Sequence, residues 1–213
     1  MNNGAGRTTH ALLGALACLT MVAAAPTPKA APLQTATFSA GCYWTVEAMF
    51  EHVRGVRQVV SGITGQEVAA KAYVRNTTGT SGGAEGVQVT FDPAQVTYEE
   101  LLRVFFEAVH DPTQVDRQGP DVGTRYRSVL WVANDAQRAA AVAAIAALER
   151  ARAFPRPVVT QVAPVGAFSP VPEREQDFVK KYPRHPYVVA WDHPRLERFR
   201  TALPSLFTEP VGG

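Results

Sequence analysis

Two residue periods alternate along the middle of the chain, and that alternation constrains the fold more than any other feature. Leu33 to Ala40 reads as a strand, and an amphipathic helix follows from Gly41-Cys42-Tyr43-Trp44 to about Val53. Val56 to Ile63 is a second strand, a stretch rich in glycine, threonine and serine runs on to Gly83, and Ala84 to Phe91 alternates as a third. Thr97 and Glu100 form a capping box that opens a helix from Tyr98 to about His110, stopped by Asp111 and Pro112. A polar loop through Gln118 and Gly119 leads to a strand from Arg125 to Val132. Asn134 and Gln137 then cap an alanine-rich helix from Asp135 to Arg152, and Pro157 to Val162 is the last predicted strand. This order predicts an α+β fold: a mixed β-sheet with helices packed on one face, a two-layer sandwich of split βαβ (ferredoxin-like) type. The stretch after it, rich in proline and aromatics, is predicted to be an irregular C-terminal tail on the surface.

The first residues follow a different pattern. Arg7 precedes an apolar run from Ala11 to Ala25, with Val22, Ala23 and Ala24 as small residues before a cleavage point after Ala24. That is the layout of a secretory signal peptide, and the run is short for a membrane span. Cys18 follows Ala15-Leu16-Ala17, which leaves lipoprotein processing open as the alternative. The expected division is therefore a signal peptide at 1–24, a linker at 25–35, a catalytic domain at 36–190 and a tail at 191–213. The expected destination is the periplasm or the outside of the cell. The formal net charge is +2 and no basic block is present, so nucleic acid is not an expected partner.

Once Cys18 is removed or lipidated, Cys42 is the remaining thiol, and it sits at a strand-to-helix turn. Unpaired N–H groups and the helix dipole there favour a thiolate. A buried, inert cysteine is the alternative. Tyr43 and Trp44 would wall an apolar pocket or anchor the helix in the core. Glu85 opens a strand whose neighbours Val87, Val89 and Phe91 read as buried, so its carboxyl either points into solvent or is an acid with a raised pKa. Asp121, Tyr126 and Arg127 frame a turn into a strand, where binding groups or a structural ion pair would sit. His52, His110, His185 and His193 lack metal-ligand spacing, and no cofactor is expected.

In sequence order these fragments resemble the A-type peptide-methionine sulfoxide reductases. Gly41-Cys42-Tyr43-Trp44 is similar to the family's Gly-Cys-Phe-Trp, and Gly82-Gly83-Ala84-Glu85 to its Gly-His-Ala-Glu. Phe91-Asp92-Pro93, Tyr98-Glu99-Glu100-Leu101-Leu102 and His110-Asp111-Pro112-Thr113 follow in register. Arg117-Gln118-Gly119 with Asp121-Val122-Gly123-Thr124-Arg125-Tyr126-Arg127-Ser128 is the longest run of agreement, and the resemblance spans about residues 36 to 183. It implies reduction of methionine S-sulfoxide, in proteins and free, with Cys42 as nucleophile and Glu85 as proton donor. It also implies that Tyr73, Asp121 and Tyr126 hold the sulfoxide oxygen, and that Tyr43 and Trp44 form the methyl pocket. Four departures stand out: Tyr43 replaces Phe, Thr45 stands where some members carry a resolving cysteine, Gly83 replaces a His, and Glu175-Gln176-Asp177-Phe178 resembles His-Gln-Asp-Tyr with the His lost. Without a second thiol, the resemblance implies recycling by a thioredoxin-like protein or a small thiol. A monomer is expected.

Overall fold

The computed structural model describes Met1, residues 31–65 and residues 82–210; the leader, Cys18 and Tyr73 lie outside the described residues. Strand β1 (Gln34–Ala40) leads through Gly41 and Cys42 into helix α1 (Tyr43–Glu51), and β2 (Val56–Gly65) follows. After β3 (Ala84–Phe91) comes α2 (Tyr98–Val104), whose last residue runs into one π turn, Phe105–Val109. Two short strands, β4 (Arg117–Gln118) and β5 (Asp121–Val122), form a separate ribbon. Next come β6 (Ser128–Val132), α3 (Asp135–Ala151), β7 (Gln161–Pro164) and β8 (Ala167–Pro170), then α4 (Phe178–Lys181) and α5 (His193–Ala202).

The main sheet has the order β7-β6-β1-β3-β2-β8. Strand β3 lies antiparallel between β1 and β2, pairing Val87 with Phe38 on one side and with Ser61 on the other. The βαβ unit of β1, α1 and β2 is therefore split by β3, and β6 borders β1 on the far side, antiparallel to it. Strand β7 runs parallel to β6 and makes the sheet mixed. The predicted fold class is the observed one.

The period of two decides which face is buried. Ala36, Phe38 and Ala40 of β1, Val87, Val89 and Phe91 of β3, and Leu130 and Val132 of β6 all join one core cluster. Val46, Met49 and Phe50 of α1 close over them, with Phe38 and Phe50 stacked at a centroid distance of 4.6 Å. Helix α2 is capped as the sequence predicts: Glu100 N–H donates to Thr97 Oγ1 at 3.1 Å, and Thr97 N–H to Glu100 Oε2 at 2.8 Å. His110, just past the π turn, is fixed between Phe105 O at 2.9 Å and Ser128 Oγ at 2.7 Å. Burial pushes its pKa down to about 4, so the ring is neutral, with Nδ1–H donating to the carbonyl and Nε2 accepting from the serine.

Three sequence expectations need correction. The segment expected as a strand from Arg125 to Val132 opens with a 3-10 turn, Thr124–Tyr126, and extends only from Ser128. Pro157 to Val162 is not the last strand: β7 begins at Gln161, and β8 follows to pair antiparallel with β2, Ser169 opposite Ile63. The tail is not irregular either. A π turn, Val188–Asp192, flows into α5, and Phe199, Leu203 and Leu206 are buried in the same core as Phe50 and Val53. Arg54 N–H donates to Leu206 O and Thr208 N–H to His52 O, both at 2.8 Å, which fastens the chain end to the turn after α1.

Candidate active site

The thiol is positioned by one glycine. Gly41 has φ +97°, and a Cβ there would lie 2.7 Å from Cβ of Gln118, so only glycine lets β1 turn into α1 against that loop. Cys42 is then the extended N-cap residue of α1, its carbonyl accepting the first helical bond from Val46 N–H at 3.2 Å. The thiol is half-buried. Burial raises its pKa well above 9.0, and the carboxylates of Glu85, Asp121 and Asp192 push the same way. The backbone N–H of Trp44 acts in the opposite sense. The helix terminus, expected from sequence to favour the thiolate, is outweighed by groups that other strands bring in. The resting sulfur is a thiol.

Glu85 continues the inward row of β3 and is 6% exposed, which settles the choice between solvent and acid. Its Oε2 accepts Tyr43 N–H at 3.3 Å, one residue along the chain from Cys42, and its Oε1 lies 3.6 Å from Arg125 Nε. Burial raises its pKa to about 8; the Tyr43 N–H and the Arg125 guanidinium oppose that rise, while Asp121 adds to it. At neutral pH the group is a carboxylic acid, held by the first turn of the helix that carries the thiol.

Tyr126 and Asp121 come to the same place. Arg125 donates to the Tyr126 hydroxyl at 2.7 Å, and burial beside Glu85 pushes that phenol up to about 12, so it stays a hydrogen-bond donor. Asp121, at the start of β5, accepts from Tyr187 Oη at 2.5 Å. Tyr187 was missed from sequence. It stands in the segment read as irregular, yet its ring meets Trp44 edge-on, with centroids 5.9 Å apart.

Trp44 is packed on several sides. Phe178 stacks on its face at 3.6 Å and 6°, Tyr43 meets it edge-on at 6.3 Å, and its Nε1–H donates to Glu175 Oε2 at 3.2 Å. Tyr43 is itself buried in the core, so it both anchors α1 and braces Trp44. Thr45 donates to Asp192 Oδ1 at 2.5 Å, and Arg195 donates to Thr45 Oγ1 at 3.4 Å, so this position ties α1 to the chain end. Arg127 has a structural role, donating to the carbonyls of Gly83 and Thr124 at 3.2 and 2.9 Å. Tyr73 lies outside the described residues, as does most of the glycine-rich stretch before β3. A half-buried thiol, a buried acid and neutral phenolic donors around one aromatic wall can attack an electrophilic atom while protonating the oxygen bonded to it.

Comparison with known proteins points the same way. A family model described as peptide methionine sulfoxide reductase matches residues 34–205. The chain is similar to peptide methionine sulfoxide reductase MsrA 2 of Mesorhizobium japonicum, 42% identical over 85% of this chain and 93% of that protein. It is 41% identical to MsrA of Thermus thermophilus, over 82% of this chain and 98% of that one. Among solved structures, reduced Mxr1 of Saccharomyces cerevisiae superposes with a TM-score of 0.67 at 28% identity, covering 74% of this chain and 91% of its own. Methionine sulfoxide reductase A of Corynebacterium diphtheriae gives 0.63 at 30% identity, covering 72% and 76%.

Proposed function

We propose a one-cysteine catalytic cycle for this chain, which belongs to the peptide methionine sulfoxide reductase family. Its activity is that of a peptide-methionine (S)-S-oxide reductase, an oxidoreductase that returns oxidised methionine to methionine and so repairs protein. What carries the residue-level reading is the buried Glu85 acid, held by the N–H next to Cys42. A sulfoxide sulfur becomes electrophilic when its oxygen is protonated or strongly hydrogen-bonded. Glu85 supplies that proton, Tyr126 adds a hydrogen bond, and the sulfur of Cys42 forms a bond to the substrate sulfur. The thiol proton is passed on through Glu85. The S–O bond and the new S–S bond then break as the hydroxyl passes to Cys42, which becomes a sulfenic acid, and methionine leaves; the substrate gains the two electrons that Cys42 loses.

Cys42 is the free cysteine among the described residues, and Cys18 belongs to the segment assigned to the leader. An external thiol then attacks the sulfenic acid, releasing water and forming a mixed disulfide that a second thiol resolves. A small thiol or a thioredoxin-like protein fits that role. Without reductant, a single-cysteine chain yields one methionine per Cys42 and a dimedone-reactive sulfur; repeated turnover with thioredoxin and no mixed disulfide or dimedone adduct would refute the cycle. Arg7, the apolar run and Val22 to Ala24 support export with cleavage after Ala24, or lipidation at Cys18. Mass spectrometry of the native N-terminus separates these, and an intact Met1 in the cytoplasm rejects both. We read the enzyme as a monomer, which light scattering tests.

A further inference from the structure

Trp44 is fixed by a residue that the catalytic chemistry does not use. Glu175 ends the short 3-10 turn Glu173–Glu175, and its side chain is 14% exposed, far more enclosed than its neighbour Arg174 at 65%. Its Oε2 accepts the indole N–H at 3.2 Å, and its Oε1 lies 3.4 Å from Arg174 Nε. The indole has Phe178 on one face and the edges of Tyr43 and Tyr187 against it, so the Glu175 bond fixes the remaining freedom, rotation of the ring in its own plane.

We propose that Glu175 is a positioning residue for the sulfoxide site: its carboxylate locks Trp44 as a wall of the methyl pocket and sets a negative charge within the field felt by Glu85. This inference rests on the reductase reading above. The two parts separate chemically, because the lock needs only an acceptor whereas the field needs a charge. Glu175 holds the side chain of Trp44 while Glu85 holds the backbone N–H of Tyr43, the residue before it, so the two carboxyl groups flank the same helical turn; a negative charge there disfavours ionisation of Glu85, and Glu175 acts on it in that sense. Arg174 is itself largely solvent-facing and therefore only partly offsets the charge.

Three variants test it. Glu175→Gln keeps an acceptor and loses the charge, Glu175→His keeps a nitrogen acceptor, and Glu175→Ala loses both. In a Cys42→Ser background, which binds without turnover, the affinity for a methionine-sulfoxide peptide should fall about three- to tenfold with Ala and stay near the parent value with Gln and His. The carboxyl titration of Glu85, followed by 13C NMR and assigned with Glu85→Gln, should move to lower pH by up to about one pH unit in Glu175→Gln. The pH profile of the single-turnover rate should move with it. Equal peptide affinity in Ala and Gln overturns the lock, and an unmoved Glu85 titration in Gln overturns the field. The NMR titration requires no sulfoxide, so its outcome for the field is distinct from any failure of the residue-level catalytic reading.

Discussion

Replacing Glu85 with glutamine should change two reactions of Cys42 in opposite directions. Burial holds the Glu85 carboxyl at about 8 instead of an ordinary 4.5, so at pH 7 about nine molecules in ten carry the proton, against about one in 300 for an unperturbed glutamate. That proton supply is what the sulfoxide step uses. Glutamine cannot replace it, and the single-turnover yield of methionine should slow about 10²-fold or more. Alkylation by iodoacetamide has no use for an acid and reads only the thiolate. Glu85 is the first charge that holds the Cys42 thiol up, and its Oε2 sits on the N–H one residue away. Removing a like charge at such range lowers a midpoint by about 1–3 pH units, so near pH 10, where Glu85 is ionised, the alkylation rate should rise about tenfold or more, whereas at pH 7, where Glu85 already carries its proton, it should change little. Quenched-flow methionine release and stopped alkylation on the same preparation check both. If the two rates fall together, the substitution has merely disordered the site and the acid role fails.

Cys42→Ser should abolish reduction, since a hydroxyl has neither the nucleophilicity nor the ionisation of a thiol; methionine release above background would reject the assignment. Glu47 in α1 is buried, with no hydrogen-bond partner on Oε2, and burial followed by Glu51 and Asp177 raises its pKa to about 8. Its folded value lies above the ordinary one, so it costs nothing below about pH 4.5 and progressively weakens the fold as pH rises to about 8, by up to a few kcal/mol. Urea midpoints at pH 5 and pH 8 should therefore diverge in the parent and lie closer together in Glu47→Gln, with Glu85, Glu51 and Asp192 keeping part of the difference. Thr45→Val leaves Asp192 Oδ1 buried without its donor and should cost about 1–3 kcal/mol of unfolding free energy by the same assay. Phe199→Ala empties a fully buried position beside Phe207 and should cost about 3–5 kcal/mol; a loss below 1 kcal/mol would show that the chain end is not part of the core.

Local signals explain what the sequence alone made legible. The alternation in β3, the capping box at Thr97 and the Asn134 cap, where Gln137 N–H donates to Oδ1 at 2.9 Å, are written in adjacent residues, and each forms as read. Strand β8 is four residues long, ends on Pro170, and exists because β2 offers an edge to it, so no period announces it. Helix α5 did carry a signal: Pro194 sits in its first turn, and Leu196, Phe199 and Leu203 recur at helical spacing, but Arg195, Glu197, Arg198 and Arg200 obscure the stripe. At the site, the motif order named Cys42, Glu85, Asp121 and Tyr126, which the fold brings together, whereas the state of the sulfur was not legible in it. The helix terminus at Cys42 is a local feature; the burial and the carboxylates of Glu85, Asp121 and Asp192 arrive from β3, β5 and the chain end.

The seating of Phe199, Leu203 and Leu206 among the side chains of α1 sets a timetable for the nascent chain. At about 5–20 residues per second, a ribosome spends some tens of seconds or less on a polypeptide this long. Until residues 199–206 emerge, Phe50, Val53 and Phe105 have no lasting cover, because the residues that seal them lie far along the chain. Final closure thus waits for Leu206 to leave the ribosome, and until then the emerging strands stay open to chaperones and proteases.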